Sequence, residues 1–299
     1  MAEFQFFVSG DVVEIKRFEI NTAPKENIVS ESVFDSDKTF SEEFSNSDRS
    51  DENRAYNLNA NRNELQRMAR QHFNEESFFV TFTFRDHYGM QEVSETDKLF
   101  KKFIMRLRYK QEKISYLAVR ELTKLGRIHY HMLLNDKYFS ERWAVEDIQE
   151  KQKAMGFRYD KHKDKQVQIK CEERKKYENE LAEIWSHGFC DMMQMGSDND
   201  NFGAYISKYM TKDLDLFKGH KSYLSSRNVK KVEPLKFKSI EDVPELLQDV
   251  VANFDVYVSE ALKVADKPKK EAFTKTYFNE YRGRIDFLEL NLKRMNLKL

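Results

Sequence analysis

Apolar residues recur every second position in some stretches of the chain and every third or fourth in others, the two rhythms of strands and amphipathic helices. In "FQFFVSGDVVEIKRFEI", residues 4–20, alternation on both sides of Gly10-Asp11 predicts a small β-hairpin. From about Thr22 to Asn63, Ser, Asp, Asn and Glu dominate. So few apolar groups cannot offset the entropy of ordering, which predicts a flexible tether. "NELQRMARQHF" reads as a helix with a basic face. "SFFVTFTFRD" then alternates as a strand, with Phe78, Val80, Phe82 and Phe84 toward a core and Thr81, Thr83 and Arg85 on a face free for contacts.

An amphipathic helix follows in "SETDKLFKKFIMRLRYKQ", with Ser94 as its N-cap, Asp97 three residues on, and Leu99, Phe100, Phe103, Ile104 and Leu107 on one side. "SYLAVREL" and "RIHYHMLL" are strand-like runs joined by "TKLG", and they are expected to pair antiparallel. Residues 136–186 read as charged and largely helical, "GFCDMMQM" as a short strand, and "NDNFGAYISKYMTKDLDLF" as a helix. Beyond a basic, turn-rich "SYLSSRNVKKVEPL", two or three helices are expected from Glu241 onward. The order predicts an α+β fold, an antiparallel sheet flanked by helices. Four segments result: a hairpin over 1–21, the tether over 22–63, the main domain over 64–232 and a C-terminal helical extension over 233–299.

Charge adds an asymmetry. The chain has 51 basic and 51 acidic residues, but residues 1–60 hold about 13 acidic and 6 basic ones, so the remainder is basic by about 7 charges. That permits a polyanionic partner. Cys171 and Cys190 stand at no ligand spacing and give no disulfide framework. No apolar run approaches a membrane span and the N-terminus has no secretory pattern, so the expected setting is a reducing cytoplasm.

The chemistry centres on "HYH". Residues two apart on a strand share a face, so His129 and His131 project together and Tyr130 points to the opposite layer. If paired numbers across the "TKLG" turn sum to about 250, Glu121 faces His129 and Val119 faces His131. Two imidazoles and a carboxylate with open positions suit a catalytic divalent metal. The second constellation is "YISKYMTK", in which Tyr205 and Tyr209 lie four apart and each precedes a lysine, Lys208 and Lys212, by three. A phenol with a pKa of about 10 is a poor nucleophile and needs an activated electrophile. An ion on Glu121, His129 and His131 can bind the oxygens of a scissile phosphate, while Lys208 or Lys212 stabilises the phenolate or the developing charge. The product is a 5′-phosphotyrosyl DNA link with a free 3′-OH, and the second tyrosine allows rejoining. Tyr205, further from the centre of the helix's apolar stripe, is expected to attack first.

In "FFVTFTF", "HYH" and "YISKYMTK", taken in this order over roughly residues 70–230, the chain resembles the HUH endonucleases, and among them the rolling-circle replication initiators of small plasmids and microvirus-type phages. The resemblance implies a central sheet of about five antiparallel strands (an RRM-like or ferredoxin-like layout), Mg²⁺ or Mn²⁺ on His129, His131 and Glu121, and nicking of single-stranded DNA at a replication origin by Tyr205 or Tyr209. Thr81, Thr83, Arg85, Arg227, Lys230 and Lys231 are expected DNA contacts. No GxxxxGK[ST] occurs, so unwinding is expected from a host helicase acting with a host polymerase in the bacterial cytoplasm. The competing readings are a relaxase or single-strand transposase with the same chemistry, a non-catalytic module reading bases on Phe79 or Tyr130, and a hydrolase of small phosphate esters.

Overall fold

The computed structural model describes residues 3–18, 47–85, 92–111, 113–123, 126–161, 164–196, 202–210, 219–235, 237, 242–265, 271–279 and 283–299. The chain forms two compact units, one from Met1–Tyr56 with Glu233–Leu299 and the other from Asn57–Val232. Strands β1 (Glu3–Ser9) and β2 (Val12–Phe18) pair as an antiparallel hairpin. Helix α1 runs from Ser47 to His72, so the last third of the expected tether is helical, while residues 19–46 lie outside the described residues.

From Phe78 onward come β3 (Phe78–Phe82), α2 (Val93–Lys110), β4 (Ile114–Leu122), β5 (Ile128–Asp136), α3 (Lys137–Val145), α4 (Ile148–Ala154), β6 (Phe157–Asp160), β7 (Lys165–Gln168), α5 (Glu172–Trp185), β8 (Cys190–Gln194), α6 (Phe202–Ser207) and β9 (Tyr223–Ser225). Five of these strands make one antiparallel sheet in the order β8-β3-β5-β4-β9. The fold class is α+β, with helices on both faces of that sheet. Phe78, Val80, Phe82, Tyr130 and Met132 point into a core shared with α2, α3, α4 and α5. On the other face Phe79, Leu117, Val119 and Leu133 are covered by Leu65, Met68 and Ala69 of α1 and Ile206 of α6. The face expected to be open for contacts is therefore largely covered. Leu65, Met68 and Ala69 follow the three-and-four spacing of a helix, which is why α1 has an apolar side to place there.

Two local expectations are corrected. Helix α2 starts at Val93 with Glu92 in the N-cap position, and Ser94 instead donates its hydroxyl to the Glu92 carboxylate. Asp97 turns inward, where it receives Arg120 Nε at 2.7 Å, Arg120 Nη2 at 2.5 Å and the Tyr130 hydroxyl at 2.7 Å. Residues 157–168, read as part of a helical stretch, form the separate β6–β7 hairpin.

The remaining elements are α7 (Glu245–Ala252), α8 (Phe254–Lys263), β10 (Ala272–Asn279), β11 (Gly283–Asn291) and α9 (Leu292–Met295). The segment after Glu241 is thus not all helical. Its two strands pair with each other, and β11 pairs with β2 to give a four-stranded sheet β1-β2-β11-β10. The N-terminal hairpin and the C-terminal segment therefore build a single unit, with a core of Phe6, Val13, Ile15, Leu247, Val250, Phe254, Leu288 and Leu290. No helix among the described residues is long and apolar enough to cross a membrane.

Candidate active site

The turn between β4 and β5 sets the site. Gly126 takes a φ of +71°, which an L side chain rarely adopts, and its N–H donates to Thr123 O at 2.9 Å. The resulting register places Glu121 opposite His129 and Val119 opposite His131. Thr81 of β3 lies on the other side of His131, and Asp191 of β8 lies beyond Thr81. One row of the sheet therefore reads Asp191, Thr81, His131 and Val119, with Glu121 and His129 two positions along.

His131 is 4% exposed and held at both ring nitrogens: Nε2 lies 2.8 Å from Glu121 Oε2, and Nδ1 lies 3.0 Å from Thr81 Oγ1. Burial lowers the pKa of both His129 and His131, outweighing the opposing pull of Glu121. Both rings are accordingly neutral at physiological pH. A neutral His131 that donates from Nε2 to Glu121 leaves Nδ1 to accept from the Thr81 hydroxyl. Because a hydroxyl both donates and accepts, Thr81 serves equally well if the proton moves to Nδ1 and frees the Nε2 lone pair.

The tyrosines approach from above. Helix α6 ends at Ser207, and the chain continues in tighter turns in which Tyr209 N–H donates to Ile206 O at 3.1 Å and Met210 N–H to Ser207 O at 3.2 Å. This tightening stacks the Tyr209 ring on His131, with centroids 3.9 Å apart and planes at 28°. Phe79, 4% exposed, fills the space beneath, meeting Tyr205 edge-on at 4.7 Å and Tyr209 at 5.4 Å. Burial, the Tyr205 hydroxyl, and the charges of Glu121 and Asp191 hold the Tyr209 phenol well above its usual pKa. Lys208 is exposed, its Nζ 5.5 Å from the Tyr205 ring centre, and Lys212 lies outside the described residues.

Helix α1 positions these turns. Gln66 Nε2 donates to Ser207 Oγ at 3.0 Å and Arg62 Nη2 to Met210 O at 3.5 Å. At Gly203 the two helices nearly touch: a β-carbon there would lie 2.6 Å from the carbonyl oxygen of Gln66 and 2.7 Å from its Cα. Backbone atoms cannot yield as a side-chain tip can. Gly203→Ala is therefore expected to cost about 1–3 kcal/mol, measured by thermal unfolding, and to displace Tyr205 and Tyr209 from Phe79. A glycine just inside a predicted helix was the signal for this close approach.

The expected DNA contacts are dispersed. Thr81 faces His131, and Thr83 donates its hydroxyl to Phe189 O at 3.3 Å. Arg85 and Arg227 are exposed, as is the side chain of Lys230, whose backbone meets the His72 ring. Lys231 pairs with Glu64 at 3.2 Å. Phe79 and Tyr130, proposed as base-stacking residues in the non-catalytic alternative, are 4% and 0% exposed and cannot serve that role.

The donor set suits a divalent cation: two neutral imidazoles and a carboxylate share one face, and the Glu121 side chain is 40% exposed. In the arrangement described, Glu121 and His131 satisfy each other by hydrogen bonding, and no three His, Cys, Asp or Glu groups among the described residues are drawn together as a ligand shell.

Residues 77–214 match the family model described as replication-associated protein ORF2. That stretch is a replication-associated domain of the ORF2 family. It spans both constellations as far as β8 and α6. The chain is also similar to a curated Escherichia coli protein, the phasyl DNA replicon protein arp, at 27% identity over 163 residues, covering 51% of this chain and 50% of that protein. The chain thus spans half the length of this relative. No solved structure matches the chain significantly.

Proposed function

We propose that this chain initiates rolling-circle replication by nicking single-stranded DNA with Tyr209 and rejoining it with the help of Tyr205. The observation that carries the reading is the stacking of Tyr209 on His131, one of three potential ligands that the β4–β5 register puts on a single face. The replication-associated domain and the resemblance to a replicon protein support a role in replication initiation.

In this reading Glu121, His129 and His131 hold Mg²⁺ or Mn²⁺, which supplies positive charge to the non-bridging oxygens of the scissile phosphate. The protein's own groups do the positioning. Phe79 and α1 hold the two phenols, and Thr81 orients His131. The Tyr209 oxygen attacks phosphorus in line, the P–O3′ bond breaks, the 3′ oxygen leaves and takes up a proton, and the 5′ phosphate remains on the tyrosine. Lys208, beside Tyr205, offers a cation to the phosphate, and Lys212 is assigned the same role after Tyr209. Arg85, Arg227, Lys230 and Lys231 give the strand cationic contacts, and host helicase and polymerase complete the reaction.

The reading is tested by incubating the protein with a randomised single-stranded DNA library and Mn²⁺ and resolving the products on a denaturing gel. Protein-linked 5′-phosphate fragments are expected in wild type and absent from His129→Ala/His131→Ala. Wild type without adduct, or an undiminished adduct in the double variant, refutes the mechanism. A second prediction concerns Thr81. Thr81→Val is expected to weaken Mn²⁺ binding about tenfold by calorimetry, because valine can neither accept from nor donate to Nδ1. Thr81→Ser should retain the affinity.

A further inference from the structure

The β6–β7 hairpin stands outside the site described. It pairs with no other strand among the described residues, and a two-stranded ribbon alone is marginally stable in water. Its root, however, is clamped. Ile169 N–H donates to Gly156 O at 2.9 Å, and buried Gln152 donates from Nε2 to Ile169 O at 2.9 Å, while its backbone carbonyl accepts from Gln168 Nε2 at 2.9 Å. Cys171 N–H completes the clamp by donating to Gln152 Oε1 at 3.3 Å. The result is a short arm with a fixed base.

What the arm displays is unusual for a solvated hairpin. Phe157 and Tyr159, two apart and so on one face, are 66% and 54% exposed. The Tyr159 hydroxyl donates to the Asp164 side chain from the facing strand's start, which restrains the ring without burying it. Arg158, Lys161 and Lys165 are exposed and take part in no ion pair among the described residues. Across residues 157–170 the sequence "FRYDKHKDKQVQIK" has five Lys or Arg against two Asp, in a chain of zero net charge. A ribbon two strands wide is only about 5 Å across, so long side chains from both faces reach a ligand lying along it.

We infer that this hairpin is a binding arm for single-stranded DNA, with bases stacking on Phe157 and Tyr159 and phosphates meeting Arg158, Lys161 and Lys165. Exposed rings beside unpaired cations are the combination that unstacked nucleotides recognise, because every base offers a π-face and every linkage a negative charge. The inference rests on the reading that the chain acts on DNA but not on its cleavage chemistry. Binding is therefore measured in EDTA, where no nicking occurs, and nicking is scored separately.

The test is fluorescence anisotropy of the full chain with a fluorescein-labelled mixed-sequence oligonucleotide of about 20 nucleotides, long enough to exceed a typical single-strand site. Phe157→Ala/Tyr159→Ala is expected to weaken binding about tenfold or more. Arg158→Gln/Lys161→Gln/Lys165→Gln is expected to flatten the slope of log affinity against log salt by about 2. Both variants should keep the wild-type melting temperature, since the residues replaced are exposed, and both should still form adduct with Mn²⁺ at saturating protein. Wild-type affinity and salt slope in both variants would overturn the inference and leave the hairpin a surface for some other partner. Stronger wild-type binding to a duplex of the same sequence, lost in the same variants, would also overturn it.

Discussion

Tyr209→Phe is expected to lower formation of the DNA adduct by about 10³-fold or more, the scale of losing a covalent nucleophile. Phenylalanine preserves the ring stacked on His131 and packed over Phe79, so only the oxygen is lost. Tyr205→Phe is expected to lower first cleavage far less and to impair rejoining, because its ring meets Phe79 edge-on and lies away from the histidines. Single-turnover kinetics on a captured library sequence separates the two. The reverse ranking would reassign the first attack to Tyr205, which the helical stripe alone favours. The difference arises because the chain leaves α-helical geometry at Ser207 and the tighter turns swing Tyr209 over His131.

Asp97→Ala is expected to destabilise the fold by about 3–5 kcal/mol, since it strands a buried guanidinium. The Arg120 side chain is 2% exposed, and it divides its donors between the Asp97 carboxylate and the Lys221 carbonyl, the latter at 2.6 Å. The Tyr130 hydroxyl also loses its acceptor, which is the cause of part of its strongly raised pKa along with burial. Asp97→Leu/Arg120→Met, which removes both charges, should recover a substantial part of the loss. Urea denaturation of the three proteins gives the comparison. Equal stability in Asp97→Ala and wild type would show that the pair is not structural.

The hairpin carrying the histidines was legible because its signals agree: period-two alternation in both strands and a glycine where the turn needs positive φ. Register follows from these, and with it the meeting of Glu121 and His129. Less was visible in α1, whose few apolar residues Leu65, Met68 and Ala69 continue a polar, Asn-rich tract. Nothing local announces that such a helix covers a sheet and carries the tyrosine turns. Asp97 sits where a capping residue would, and only tertiary structure shows Arg120 beside it. β10 and β11 mix Lys, Asp and Glu with aromatics, so their alternation is blurred, and their sheet is completed by β2 from the other end of the chain.

The central claim is that a tyrosine stacked on a histidine of the β5 pair takes the 5′ phosphate. Its most direct measurement is proteolysis and mass spectrometry of the adduct formed with the single-stranded library and Mn²⁺. The account predicts a nucleotide on the peptide containing Tyr209 in the first turnover, lost in His129→Ala/His131→Ala. A nucleotide on a residue outside Tyr205 and Tyr209, or cleavage with no protein-bound nucleotide, would contradict it.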